Sequence, residues 1–348
     1  MRSRRKPPTA AAAGTGQRPH GWVRRWLRRG CLGLLALFVL LTVTATAYDA
    51  LPADAVPPPP LDSAGHYVRV GGLTTHYEQW GTAGPPVVLV HGFLESAWVW
   101  HDVGPRLAAT GHRVYAIDVR GFGYTQRRGP YTLASDTAQL ADFLAAVGLE
   151  GDRAGRPVLV GHSSGAAIVG NLSRLRPADV AGVVFMDGDG TPYGVGPGWV
   201  HRLLLDPYAT ALLRLSTRHP ALARAAYRSA CGPRCPAFDP AAWTTPFRVR
   251  GAVPALRQIL SHQLIGLTYR QERMIHVPAA VLYGAQDPEM TGVDATATAV
   301  RLRTTRIVVL PAAQHMGMLS DPAATAADLS TLVAGMRGGR AGGGAASG

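Results

Sequence analysis

Short apolar and β-branched runs recur along the chain between residues 67 and 310. The first two look like a hairpin, and the later ones are continuously apolar, as expected of parallel strands buried on both faces. These runs predict eight strands: Tyr67–Val70, Thr74–Trp80, Val87–Val90, Val114–Asp118, Val158–Val160, Val183–Met186, Ala280–Tyr283 and Ile307–Leu310. Helical patterns lie between most of them: Leu133–Val147, Ala166–Leu175, Asp294–Arg303 and Ala323–Met336. The alternation predicts an α/β fold with a mostly parallel eight-stranded sheet covered by helices on both faces.

One long interval breaks this alternation after the sixth predicted strand. Residues 188–277 contain no clear strand and are rich in Leu, Ala, Arg, Pro and aromatic residues, which fits an inserted helical cap. Its aromatic side chains either line a substrate pocket or simply pack the cap: Tyr193, Trp199, Tyr208, Trp243 and Phe247. We predict one domain over residues 66–336, preceded by a proline-rich spacer over residues 48–65 and followed by a disordered tail over residues 337–348.

The N-terminus has a different pattern. Residues 1–30 are basic and are predicted to form a disordered cytoplasmic tail. Residues 31–47 carry no charge, which is typical of a membrane anchor or an export signal. A buried core helix is the alternative, which the position of the run outside the domain disfavours. The basic flank predicts that the catalytic domain is extracytoplasmic: membrane-anchored or, if cleavage follows Ala47, secreted.

The distribution of charge argues against a nucleic-acid partner. The formal net charge is +13, but nine of the 35 basic residues fall within the first thirty positions, and the remaining 26 face 22 acidic residues. The excess charge therefore belongs to the N-terminus and does not form a binding face. No His or Cys pair completes a zinc pattern with the three cysteines, so we expect no metal. Cys231 and Cys235 are predicted to form a disulfide after export, with two free thiols as the alternative.

The strongest chemical signal is the sequence Gly161-His-Ser-Ser-Gly165, which follows a predicted strand and precedes a predicted helix. A tight turn in this setting lifts the Ser163 hydroxyl above the sheet edge, and the flanking glycines let the backbone pass closely. Two backbone N–H groups, of Phe93 after the turn His91-Gly92 and of Ser164, are candidates to bind a developing oxyanion. The alternative interpretation of His91-Gly92 is an ordinary turn after a strand.

Two further residues stand just beyond consecutive predicted strands. Asp287 follows the seventh strand and His315 the eighth, so the order Ser163, Asp287, His315 is the one that a hydrolase triad on this fold requires. Asp187, at the end of the sixth strand, is the alternative acid. Asp287 is favoured because it sits on a turn beyond its strand, from which a carboxylate can reach the histidine loop.

Over about residues 66–336 the chain resembles the α/β-hydrolase fold superfamily, in its capped, esterase-like serine hydrolase branch. The shared motifs are the His91-Gly92 turn, the strand end Asp118-Val-Arg-Gly-Phe-Gly123, the serine elbow and the Asp287 and His315 turns. The resemblance implies a Ser–His–Asp triad and no cofactor. Serine at position 163 departs from the haloalkane dehalogenase and epoxide hydrolase branches, which have aspartate there.

The predicted function is cleavage of a carboxylic ester, or a related acyl substrate, through an acyl-enzyme on Ser163. The substrate would be a small molecule, and the only other partner a membrane bound by the N-terminal segment. Two alternatives remain. An acyltransferase or a cofactor-free perhydrolase would use the same triad, and a catalytically dead, membrane-tethered binding protein would keep the fold without the chemistry.

Overall fold

The structure, a computed structural model, describes residues 20–51, 65–149, 155–192, 206–260 and 266–338. Residues 1–19 of the predicted tail, most of the predicted spacer and residues 339–348 lie outside these ranges. The strands are β1 Gly65–Val70, β2 Leu73–Trp80, β3 Pro86–Val90, β4 Arg113–Ile117, β5 Val158–His162, β6 Gly182–Met186, β7 Ala279–Gly284 and β8 Ile307–Leu310. The helices are α1 His20–Ala50, α2 Val103–Ala109, α3 Leu133–Ala146, α4 Gly165–Leu175, α5 Asp206–Arg218, α6 Pro220–Cys231, α7 Pro240–Thr244, α8 Ala252–Leu260, α9 Tyr269–Glu272, α10 Gly292–Arg301, α11 Gly317–Ser320 and α12 Pro322–Gly338.

All eight strands form one sheet in the order β1-β2-β4-β3-β5-β6-β7-β8. The hairpin partners β1 and β2 are antiparallel, and β2 also pairs antiparallel with β4, whereas β3 to β8 run parallel. The predicted α/β fold is therefore confirmed. Because parallel strands share one direction, the segments that follow β3, β5, β6, β7 and β8 meet at one edge of the sheet.

Successive residues of the central strands enter two different cores. Val88, Leu159 and Phe185 pack with α3 and α4 on one face. Val87, Val160 and Val184 pack with α2 and α12 on the other face. Side chains alternate across a strand, so a strand covered on both faces must be apolar at every position, which is why these runs are continuously hydrophobic.

The N-terminal helix α1 is longer than the predicted apolar segment. It begins at His20 and ends at Ala50, so part of the predicted basic tail is helical. Prolines at positions 19 and 52 bracket it, and the intervening residues include only three glycines to weaken the helix. Within the stretch Trp22–Ala50, an 18-residue segment has a mean hydropathy of 2.2, and none of that segment is buried in the protein. The stretch is therefore long and apolar enough to cross a membrane.

Between β6 and β7 the secondary-structure elements of the described residues are helices, and we call α5 to α8 the inserted helices. The last part of the predicted cap differs from them. Leu267, Ile275 and Val277 are buried in the core beneath α4, and α9 packs against α4. This stretch therefore belongs to the layers around the sheet, because its apolar side chains complete a core that the sheet and α4 leave open. A disulfide joins Cys231 and Cys235 at the end of α6.

Candidate active site

Ser163 lies on a sharp turn between β5 and α4. Its backbone has a φ of 49°, in the left-handed region that a non-glycine residue rarely adopts, and its N–H donates to the Met186 carbonyl at 2.9 Å. The flanking glycines are required by close packing: a Cβ on Gly161 would lie 2.5 Å from the Gly165 carbonyl oxygen, and one on Gly165 2.6 Å from the Val90 carbonyl oxygen. The turn thus holds Ser163 at the carboxyl edge of the sheet.

The two predicted downstream residues are in contact. His315 Nδ1 lies 2.9 Å from Asp287 Oδ2, and both side chains are buried. The other Asp287 oxygen accepts a hydrogen bond from the Glu289 N–H at 2.7 Å, which fixes the carboxylate. Because an ionised carboxylate only accepts, His315 donates from Nδ1 and leaves Nε2 to interact with other groups.

The electrostatic surroundings of His315 favour its protonated form. Burial by itself lowers its pKa, but the hydrogen bond and charge of Asp287 outweigh burial. The charges of Glu289 and Asp187 add to this effect, and the pKa is raised to about 9. Glu289 Oε2 lies 3.7 Å from His315 Nε2, so this histidine has a carboxylate at each ring nitrogen.

The alternative acid, Asp187, has other partners. Its Oδ1 accepts a hydrogen bond from the Gly284 N–H at 2.7 Å, and its Oδ2 is buried without a hydrogen bond within the described part of the chain. Burial raises the pKa of Asp187 to about 7, against the lowering effect of His162 and of the Gly284 hydrogen bond. Asp187 therefore bridges β6 and β7, and its carboxylate does not orient the His315 ring through a hydrogen bond.

The predicted oxyanion donors lie beside the turn of Ser163. Phe93 and Ser163 line one cavity, and Phe93 and Ser164 line a smaller adjoining one. Among the hydrogen bonds of the described residues, the backbone N–H groups of Phe93 and Ser164 have no protein acceptor. Two unpaired N–H groups beside the Ser163 turn could donate hydrogen bonds to an oxyanion.

A buried ion pair lies behind these groups. His162 Nδ1 is 3.0 Å from Glu95 Oε2, and His162 Nε2 is 2.8 Å from the carbonyl oxygen of His315. Both partners only accept once Glu95 is ionised, so both ring nitrogens donate and His162 is an imidazolium. Burial opposes both charges, but their mutual attraction and hydrogen bond raise the pKa of His162 and lower that of Glu95.

Through this pair, three loops of the site are tied together. Glu95 Oε2 also accepts the Gly92 N–H at 2.7 Å, next to the Phe93 N–H. His162 immediately precedes Ser163 and holds the backbone of His315. The pair was missed by the sequence analysis. Its only signals there are a glutamate three residues after the His91-Gly92 turn and a histidine at the end of a buried strand.

The strand-end motif that begins at Asp118 is structural. Asp118 is fully buried and accepts from the backbone N–H groups of Ala97 at 2.6 Å and Tyr124 at 2.7 Å, and it pairs with His76 Nδ1 at 2.7 Å. Its partners fix the two loops that follow β3 and β4. His91 accepts the Val119 N–H on Nε2 at 3.0 Å, so it too is engaged in holding the loops.

A cavity of about 340 Å³ joins the site to the inserted helices. Ser163, His315 and Glu289 form its floor, and side chains of α5 and α6 form much of its wall, with mostly apolar residues from α6 and with Leu213, Ser216 and Thr217 from α5. Of the predicted lining aromatics, Trp243 and Phe247 do line it. Tyr208 instead contacts α1, and Tyr193 and Trp199 lie outside the described residues. Among the residues that the structure describes, no group of His, Cys, Asp or Glu side chains could hold a metal ion.

Comparisons with known proteins point to one family. A family model described as "Alpha/beta hydrolase family" matches residues 87–328. Bifunctional epoxide hydrolase 2 of Sus scrofa is 31% identical over 176 residues, which are 47% of this chain and 30% of that protein. Methylesterase 7 of Arabidopsis thaliana is 35% identical over 101 residues, which are 28% of this chain and 38% of that protein. The chain thus spans little more than a third, at most, of these two relatives.

Solved structures share the fold at low sequence identity. A thermophilic esterase from Thermogutta terrifontis superposes with a TM-score of 0.63 at 20% identity, covering 79% of this chain and 100% of that one. A membrane phospholipase A described as a bacterial virulence factor superposes with a TM-score of 0.61 at 19% identity, covering 91% of this chain and 98% of that one. At such identities the likeness extends to the fold alone.

Proposed function

The chain belongs to the alpha/beta hydrolase family, and we propose that it is a serine hydrolase that cleaves a carboxylic ester through an acyl-enzyme on Ser163. The observation that carries this proposal is the hydrogen bond of 2.9 Å between His315 Nδ1 and Asp287 Oδ2, at a cavity whose floor also includes Ser163. A histidine that is oriented by a buried carboxylate and lines the same cavity as a serine fits the arrangement that activates a serine nucleophile.

In the proposed mechanism, neutral His315 removes the proton of the Ser163 hydroxyl while the oxygen attacks the ester carbonyl. Asp287 stabilises the imidazolium that forms. The N–H groups of Phe93 and Ser164 donate to the oxyanion of the tetrahedral intermediate. His315 then protonates the leaving alcohol, and a water activated by His315 hydrolyses the acyl-enzyme and restores Ser163.

The residue at the nucleophile position also distinguishes ester hydrolysis from epoxide hydrolysis. Relatives of both kinds match the chain. In the superfamily that the chain resembles, epoxide hydrolases have an aspartate at the elbow position, whereas this chain has Ser163 there. An acyl-enzyme on serine accounts for that difference, so an ester is the favoured substrate.

We place the catalytic domain outside the cytoplasm, anchored by α1. The basic residues at the start of α1 favour retention of that end in the cytoplasm, and the exposed apolar stretch after them is long enough to span a bilayer. The Cys231–Cys235 disulfide fits an oxidising compartment.

A fluorophosphonate probe tests the proposal most directly, because it reacts only with an activated serine. The full-length protein is expected to be labelled on Ser163 and to hydrolyse p-nitrophenyl esters, and Ser163→Ala is expected to lose both properties while remaining folded. Ser164→Ala is the matched control and should retain the label, since only its backbone N–H is assigned a role. Labelling of a folded Ser163→Ala variant, or ester hydrolysis by it at the normal rate, would refute the assignment.

A further inference from the structure

Helix α5 of the inserted helices is docked on the outer end of the membrane-spanning helix α1. Tyr208 of α5 shares a hydrogen bond of 2.5 Å with Thr42 Oγ1, and its ring lies 6.4 Å from that of Phe38. Further along both helices, the Arg214 guanidinium donates to the Tyr48 carbonyl and stacks 4.8 Å from the Tyr48 ring. The same order of contacts along both helices means that α5 runs alongside the last turns of α1 in the same direction.

The contact residues lie on one face of α1. Phe38, Thr42, Ala45 and Asp49 follow a spacing of three and four residues, and Ala45 and Asp49 are buried there. Phe38, Thr42 and Ala45 belong to the uncharged run of residues 31–47. From Arg29 to Asp49 the helix rises about 30 Å, the thickness of a bilayer core. The start of α5 therefore lies at the depth of the outer half of the span.

The opposite face of α5 forms a wall of the active-site cavity. Leu213, Ser216 and Thr217 line the cavity, whereas Arg214 faces α1. Leu212 and Leu215 are exposed, at 58% and 38% of their surface, and at 100° per residue they project within about 60° of one another. They lie between the side of α5 that holds α1 and the side that lines the cavity. An apolar edge thus runs from the span to the cavity.

Charge on the inserted helices matches a lipid surface. Residues 206–260 contain eight arginines against two aspartates. Arg224 and Arg228 of α6 are exposed, and the same helix exposes Leu222 on another face. A basic region that also exposes leucines favours the interface of a bilayer that contains anionic lipids.

We propose that the edge of α5 formed by Leu212 and Leu215 is immersed in the outer leaflet, and that the cavity takes its ester from that leaflet: an acyl ester of a membrane lipid. This inference rests on the proposed ester hydrolysis at Ser163. It also explains the docking of α5 on α1. Because α5 is a wall of the cavity and packs against the membrane-spanning helix, it keeps the cavity at the membrane surface. Ester bonds of lipids then reach Ser163 without their acyl chains crossing water, where each exposed methylene would be unfavourable.

The test uses the full chain reconstituted in vesicles of phosphatidylcholine with a minority of phosphatidylglycerol. Two esters of one fluorophore are compared: 4-methylumbelliferyl oleate dissolved in the bilayer and 4-methylumbelliferyl acetate in the water. The double variant Leu212→Ser/Leu215→Ser is expected to hydrolyse the oleate about tenfold more slowly and the acetate within about twofold of the unmodified protein. Val293→Ser/Val300→Ser, on the exposed face of α10, is the matched control and should change neither rate.

A second measurement does not depend on hydrolysis. In a Cys31→Ser background, a nitrobenzoxadiazole label attached through Leu215→Cys is expected to emit at shorter wavelength in vesicles and to be quenched by lipid-borne spin labels. The same label attached through Val300→Cys should behave as in water. A water-exposed label at position 215, or equal losses on both esters, overturns the inference. If the unmodified protein cleaves neither ester, the proposed function fails instead, and the label still decides whether α5 contacts lipid.

Discussion

The loops at the carboxyl edge of the sheet and the inserted helices above them are built on opposite physical rules. At the edge, polar groups are buried and paired: Asp287 with His315, Glu95 with His162, and Asp118 with backbone N–H groups. Each such group fixes the position of another because leaving it unpaired would be costly. The inserted helices line the cavity mainly with apolar side chains and a few hydroxyl groups, and they expose several leucines.

This contrast assigns different tasks to the two regions. Directional hydrogen bonds in a water-poor setting position reacting groups, which is what the proposed chemistry needs. Apolar packing is non-directional and tolerates substitutions of similar volume, which suits the binding of a flexible acyl group. Substitutions at the sheet edge should therefore reduce turnover, whereas those in the inserted helices should alter stability or substrate preference.

The largest expected effect concerns the acid of the proposed triad. Asp287→Asn should lower kcat by roughly 10⁴-fold, because an asparagine no longer fixes the His315 tautomer or stabilises its charged form. Asp187→Asn, which alters the buried carboxylate that bonds to the Gly284 N–H, should cost far less. Steady-state hydrolysis of a p-nitrophenyl ester by both folded variants measures the difference. The reverse ranking would move the acid to Asp187.

The next largest effect is expected at the buried pair Glu95–His162 behind the proposed nucleophile. Glu95→Gln removes the charge opposite His162 and should destabilise the protein by about 3 kcal/mol, the cost of breaking a buried ion pair. It should also lower kcat by about 10- to 100-fold, because the loops that carry Phe93, Ser163 and His315 lose their common support.

Glu272→Gln is the matched control for this pair. Glu272 is also buried and bonds to Arg301, but it does not line the cavity. The Glu272→Gln variant should be less stable than the unmodified protein but should keep its turnover at temperatures at which it remains folded. Thermal unfolding together with kinetics separates the two cases, and equal turnover of both variants would show that the Glu95 pair supports only the fold.

A smaller effect is expected at the disulfide of the inserted helices. The bridge closes a loop of only five residues, so the double variant Cys231→Ala/Cys235→Ala should lose about 2 kcal/mol. Its hydrolysis of short esters should be nearly normal. Denaturant unfolding, with Cys31→Ala as a control for loss of an exposed free thiol, measures this loss. Collapse of short-ester hydrolysis in a folded double variant would contradict the division of tasks between the two regions.

The smallest expected effect is a change in pH dependence. His315 must be neutral to accept the Ser163 proton, and its pKa is raised to about 9, so kcat/KM should rise with pH toward that value. The raised pKa also stabilises the fold fully below the ordinary value of about 6.5, and this stabilisation is lost as the pH rises through about 9.

Glu289 contributes to that raised pKa, and its side chain is half exposed. Glu289→Gln should therefore move the ascending limb of the pH–rate profile to lower pH by a small amount, while its maximum rate stays similar. A pH series of kcat/KM for both proteins gives the shift. An unmoved limb would mean that solvent screens the Glu289 charge from His315.

Local sequence was enough to predict the strands, most helices and the tight turn at Ser163. Continuous apolar runs such as Val87–Val90 are diagnostic because both faces of a central strand are buried, and the glycines around Ser163 are diagnostic because the backbone leaves no room for a Cβ there. Ser163, Asp287 and His315 each follow a parallel strand, and parallel strands share one direction. The sequence was therefore enough to predict that these three residues lie at one edge of the sheet.

Only the tertiary structure brought together residues whose significance depends on distant partners. Glu95 and His162 are 67 positions apart, and neither carries a signal until the fold brings their side chains within 3.0 Å. That Asp287, and not Asp187, hydrogen-bonds to His315 is visible only in the structure, and the docking of Tyr208 and Arg214 on α1 depended on packing between elements 166 positions apart in the chain. Hydrophobic periodicity is a local property that a sequence displays, whereas the pairing of buried polar groups is decided by the three-dimensional path of the chain.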